Sequence, residues 1–252
     1  MAATGVHVVR IETAWIRNAL VAGLLFQILL AQGQELQACR PSSRGGETCW
    51  CQLAEVHPTQ MAVGMREVLA RTSEISQQTS DPAKRYLALH PAPAVNGPGG
   101  KLYITDRHHL ARTLIFIGVD AMACQIEADL SGLGVDAFWS EMGQRGWVHP
   151  YGADGARYSY ADLPPRIVDV ADDPYRSLAG FVREACGYRK TDILFVEFQW
   201  ADFFRPRVTV GTSDADFARA IEQGVMAARS TAARELPGYC GGACNCSERP
   251  PN

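Results

Sequence analysis

One stretch constrains the fold of this chain more than any other: Pro91 to Gly118, PAPAVNGPGGKLYITDRHHLARTLIFIG. Asn96-Gly97-Pro98-Gly99-Gly100 is a turn signal between two short apolar runs. Leu102 and Ile104 alternate with Lys101 and Tyr103, the pattern of a half-buried strand. The period then changes. Leu110, Leu114 and Ile117 fall at i, i+4 and i+7 and mark one apolar helix face. Gly118 is a natural stop, and Thr105 or Asp106 is placed to cap the start. Strand, turn, strand and helix follow one another here.

The helix start is crowded with Asp106, Arg107, His108 and His109. Free amides, Arg107 and two imidazoles at a helix N-terminus form an anion site, most naturally for phosphate. The plainer alternative is that Asp106 only caps and the histidines lie on the surface.

The 252 residues suffice for one large domain or two small ones, and 47% apolar content provides a core. The net charge of −3 gives no sign of a general nucleic-acid binder. Arg10 and Arg17 precede an apolar run from Ala19 to Ala31, with Gly33 after it. That order predicts a secretory signal over residues 1–33, with an uncleaved anchor or a misplaced start as alternatives. The expected location is secreted or extracytoplasmic, with no stable membrane insertion after cleavage.

Eight cysteines agree with export. Cys39, Cys49 and Cys51 lie near one end, Cys240, Cys244 and Cys246 near the other, and Cys124 and Cys186 between. Cysteines in C-x-C seldom pair with each other, so disulfides tying the two ends together are expected. Zinc is the rival reading, without CxxC spacing to support it. The expected organisation is a Cys-bearing arm at 34–52, a globular domain at 53–238 and a Cys-rich tail at 239–252.

Further along, Asp136 to Met142 has helical character and Gly146 to Ala161 reads as a long loop rich in glycine and aromatics. Asp172 to Tyr188 is a helix capped by Asp172 or Asp173, with Pro174 in its first turn. Ile193 to Trp200 is a strand or a buried element, and Phe217 to Arg234 is an amphipathic helix.

Three segments together resemble the ParB-like branch of the ParB/sulfiredoxin superfamily. They are His57 to Gln60 with Val63 to Val68, then Tyr103 to Ala111, and finally Asp173 to Ala179 with Phe195 to Arg205. The resemblance spans Leu53 to about Gly238. It implies an α/β (α+β) fold: a small mixed sheet with packed helices, a ParB/sulfiredoxin-like core and a helical C-terminal half. It also implies a nucleotide or phosphate pocket at the Asp106 helix. Arg107 stands where the branch commonly has histidine, and Leu110 where better-known members place a phosphate-binding arginine. The phosphate role therefore falls to Arg107, His108, His109 and the helix amides. Chromosome partition fits poorly, because no helix-turn-helix segment is visible. Sulfiredoxin chemistry needs a cysteine in this loop, and there is none.

The expected function is binding of a nucleotide or phosphorylated small molecule, with phosphoryl transfer or phosphate-ester hydrolysis and Mg²⁺ as a cofactor. Asp106, His108, His109 and Glu67 are the catalytic candidates. Gln60, Arg66, Arg107, Arg176 and Arg183 are the ligand-binding candidates. No residue set is assigned to a protein-held metal, and no sequence-specific DNA binding is expected. Glu67 has a bland alternative as a solvated helix carboxylate. Arg176 and Arg183 could equally pair with nearby acids, and a buried Glu197 would need one of them. A non-catalytic, disulfide-stabilised ligand-binding domain is the competing function.

Overall fold

A computed structural model describes residues 36–76 and 87–244. The signal expected over 1–33 and Cys246 lie outside the described residues. Five strands form the main sheet in the order β1-β6-β4-β5-β2. They are β1 Thr48–Gln52, β2 Val56–His57, β4 Ala92–Asn96, β5 Leu102–Ile104 and β6 Ala121–Asp129. The pairs β1–β6 and β4–β5 are antiparallel, while β4–β6 and β2–β5 are parallel. A second, two-stranded parallel sheet joins β3 Ala62–Val63 to β7 Ala171–Asp172. The sheet is mixed and the fold α/β, as the sequence indicates.

The turn at residues 97–101 folds the two apolar runs into a hairpin, with Ala94 opposite Ile104. Helix α1 is Met65–Ser76 and α2 is His108–Phe116. Leu110 and Leu114 of α2 are buried with Ala92, Ala94 and Ile104 on one face of the sheet. Gly118 has φ 77°, a left-handed stop that glycine adopts without cost. The other face carries Val95 and Tyr103, packed against Phe138 and Met142 of α3, Val135–Gln144. Tyr103 is thus buried rather than solvent-facing, because helices cover both faces of the sheet.

A separate helical core follows. It is built from α4 Pro174–Glu184, α5 Val196–Phe204 and α6 Asp214–Arg229. Asp173 caps α4 by accepting from Tyr175 N, with Pro174 at the first position, as the sequence suggests. The run open to a strand reading is α5. Its β-branched and aromatic residues mimic a strand, yet Val196, Trp200, Ala201 and Phe204 are buried at helical spacing. Trp200 is fully buried, stacks on Tyr188 and donates its indole N–H to Pro237 O. Ser213 caps α6 by accepting from Asp216 N at 3.1 Å. Replacing Ser213 with alanine is expected to cost about 1 kcal/mol in a urea titration.

The cysteine pairing differs from the expected link between the ends. Cys39 pairs with Cys49, Cys51 with Cys124, and Cys240 with Cys244. Cys186 is disulfide-bonded too. Neither Cys49 nor Cys51 pairs with its C-x-C neighbour, as expected, but Cys49 bonds Cys39 within its own segment and Cys51 bonds the internal Cys124. In the antiparallel β1–β6 register Cys124 lies opposite Cys49 and Met122 opposite Cys51; Cys49 is taken by Cys39, and Cys124 bonds diagonally to Cys51. The segment expected as an arm therefore ends as an edge strand of the sheet, with Cys49 and Cys51 in the core. Disulfides are compatible with an oxidising compartment. No helix among the described residues is long and apolar enough to cross a membrane.

Candidate functional site

The β5–α2 connection positions the candidate residues. Thr105 is buried, Asp106 is exposed, and Arg107 sits in the left-handed region at φ 63°. Arg107 occupies the cap position of α2 and donates its backbone N–H to Asp106 Oδ1 at 2.6 Å. Neither Thr105 nor Asp106 is the cap, because the turn runs one residue further than spacing implies. Asp106 lies close enough to Glu127 to help burial raise that carboxyl's pKa. Two acids therefore stand where the phosphate was expected.

Segment 59–64 crosses the first turn of α2. Between Thr59 and Gly64 it carries β3, and the N–H groups of Thr59 and Gly64 at its two ends take acceptors from α2. His108 Nε2 accepts from Thr59 N at 3.0 Å, and His109 Nε2 accepts from Gly64 N at 2.8 Å. Thr59 Oγ1 donates to Ile104 O at 2.9 Å. Both imidazoles are thereby neutral, with the proton on Nδ1. Burial pushes His108 down to about 3. It also holds His109 well below the usual value, and Arg176 adds to the effect. The two side chains lie beneath the surface rather than at a pocket mouth, so a role as phosphate-binding cations loses its geometric basis.

Glu67 on α1 reaches Arg176 of α4 at 2.5 Å and lies 3.6 Å from His109 Nε2. That histidine contact is not an ion pair, since the ring is neutral. The approach requires Gly180: a Cβ there would come within 2.4 Å of the Glu67 carboxyl. Arg176 is 3.9 Å from Glu197, which also pairs with Arg183. Glu67, Arg176, Glu197 and Arg183 form one enclosed chain of alternating charge between α1, α4 and α5. Burial raises the Glu67 pKa against the pull of Arg176 and Arg183.

The other expected ligands are dispersed. Gln60 is buried and donates to Ala62 O at 2.7 Å. Arg66 turns away to Asp214 at 2.8 Å, to Thr212 O and over the Phe217 ring. No group of three or more His, Cys, Asp or Glu among the described residues could hold a metal ion.

Sequence reasoning missed His149. It stacks on Phe198 at 4.1 Å, and burial, then Arg176, lowers its pKa to about 4. Also missed was a cleft of about 300 Å³ on the α3 face of the sheet, bounded by His57, Lys101, Tyr103, Phe138, Trp139 and Tyr160. The aromatic-rich loop at 146–161 was its one visible signal.

Residues 49–206, more than half of the chain, match the family described as "Putative ParB-like nuclease". The chain belongs to the ParB-like family. Its fold is similar to the crystal structure of protein Atu1540 from Agrobacterium tumefaciens. The two are 38% identical with a TM-score of 0.72, over 77% of this chain and 97% of that one. No curated protein matches. The matched span opens inside β1 and ends after α5, so both histidines, the Glu67–Arg183 charge chain and the cleft belong to the ParB-like core.

Proposed function

We infer that this ParB-like protein is a non-catalytic, disulfide-stabilised domain that binds a nucleotide or another phosphorylated small molecule. One observation supports this over catalysis. His108, His109, Glu67 and Arg183 are each committed to an internal partner, and none is free to move a proton at an open surface. Disulfides and the Arg-flanked apolar run at the N-terminus support export, and N-terminal sequencing of secreted protein near Gln34 tests that part.

A second reading, phosphate-ester hydrolysis or phosphoryl transfer, has one observation in its favour. Glu67 carries a raised pKa beside Arg176, an arrangement suited to general acid chemistry if the charge chain opens toward a ligand.

Thermal shift with ribonucleoside monophosphates, sugar phosphates and phosphoserine, followed by a phosphate-release assay, separates the two. Stabilisation by at least one ligand is expected, about 2.7 kcal/mol at a hundredfold excess over Kd. No phosphate should be released above the protein-free control. Turnover that disappears in Glu67→Gln would establish the enzyme instead.

A further inference from the structure

The cleft on the α3 face lies apart from the buried histidines and the charge chain, and no candidate residue from the sequence lines it. Its volume of about 300 Å³ sits at the small end of ligand sites. That leaves room for one ring and one attached group, not for a dinucleotide or a peptide. Its walls are aromatic. Trp139 and Tyr160 lie nearly parallel with centroids 5.4 Å apart, and Tyr103 meets Trp139 edge-on at 80°. Val135, also part of the lining, is 61% exposed at α3's start. Rings and an apolar rim of this kind favour a flat partner that stacks.

The charge of the cleft is one-signed. Lys101 is exposed and has no ion-pair partner among the described residues, and no Asp or Glu lines the cleft. The nearest acids in sequence are Asp136, exposed, and Asp162, whose Oδ2 accepts from Ser159 N. His57, across from Tyr103 at 5.1 Å, is held neutral first by burial and then by the Lys101 charge. The Pro165 backbone beside the ring opposes that lowering only in part. One cation, one imidazole and a set of rings therefore converge on a small volume.

Resting on the ligand-binding reading above, we propose that this cleft is the ligand site and that it takes a planar aromatic ring carrying a single phosphate, with the ring against Trp139 and Tyr160 and the phosphate at Lys101. The probes are the four ribonucleoside 5′-monophosphates, the matching nucleosides and ribose 5-phosphate, titrated calorimetrically into the intact, oxidised chain. At least one monophosphate binds, and both of its halves bind more weakly. Lys101→Gln weakens the monophosphate by about tenfold and leaves the nucleoside unchanged, since a hydrogen bond to a charged group is lost. Tyr160→Leu weakens the monophosphate and the nucleoside together and leaves ribose 5-phosphate unchanged. Lys101 is exposed, so its variant keeps the fold even if the Tyr160 variant does not. A monophosphate that binds both variants as well as it binds the parent overturns the cleft assignment alone. Failure of every monophosphate, sugar phosphate and phosphoserine to bind overturns the ligand-binding reading with it.

Discussion

Glu67→Ala is expected to lower the unfolding free energy by about 3–5 kcal/mol, because it leaves a buried arginine without its closest counter-charge. Arg176 would keep only Glu197 at 3.9 Å, and that carboxylate is already shared with Arg183. The pair itself contributes far less than this loss. Burial raises the Glu67 pKa despite the attraction of Arg176, Arg183 and Arg71, so desolvation outweighs it. A double variant, Glu67→Leu with Arg176→Met, should therefore recover most of the lost stability. Midpoints of guanidinium unfolding measure both effects. A single variant that costs under about 1 kcal/mol would mean that Arg176 is solvated and the cluster open.

Stability should fall steeply between pH 7 and pH 5. His108 and His149 are held at about 3 and about 4 in the folded protein, against 6.5 when unfolded. A depressed folded pKa means that the unfolded chain binds the proton first. The stabilisation is complete above pH 6.5 and is lost as pH falls below it toward the folded values. At pH 5 each ring withdraws about 2 kcal/mol, or about 4 kcal/mol together. His109 acts in the same direction. Glu67 acts in the opposite one, since its raised pKa lets the folded state take up a proton more readily. His57 adds to the histidine side and Glu127 and Asp172, also raised by burial, to the opposing one; the histidines, which begin to lose stability near pH 6.5, leave a net loss. Asp169 and Asp216, held low by Arg166 and Ser213 respectively, add to the loss only nearer pH 4 and below. Urea midpoints at pH 7, 6 and 5 check this, and midpoints unchanged across that range would contradict it.

The apolar period of Leu110 and Leu114 was enough to place α2, and the Asn96–Gly100 turn was enough to place the hairpin before it. Both signals are local. What became of His108 and His109 was not local. Their burial depends on Thr59 to Gly64 crossing the helix start, about 45 residues away in sequence. Helix rotation alone cannot tell an open first turn from a covered one. Arg176 and Arg183 were open between gripping a ligand and pairing with acids, and Glu67 and Glu197 decide for pairing. The even number of cysteines pointed to disulfides, but which pairs form depends on where the fold sets them: β1 beside β6 brings Cys51 to Cys124, and Cys240 and Cys244 meet in the C-terminal segment. Beyond the aromatic-rich loop, the cleft was illegible for the same reason. His57, Lys101, Trp139 and Tyr160 converge through sheet topology and share no sequence pattern. Strand content misled in the other direction at α5, where burial on nearly every side hides the helical period.

The state of the two adjacent histidines is the most direct point to measure. In a protein labelled with ¹⁵N at histidine, the ring nitrogens of His108 and His109 are followed by NMR from pH 8 down to 5. The expected result is two neutral rings with Nε2 unprotonated and no titration while the fold persists. Either ring titrating near 6.5 in the folded protein would contradict it and return these residues to an open, phosphate-facing site.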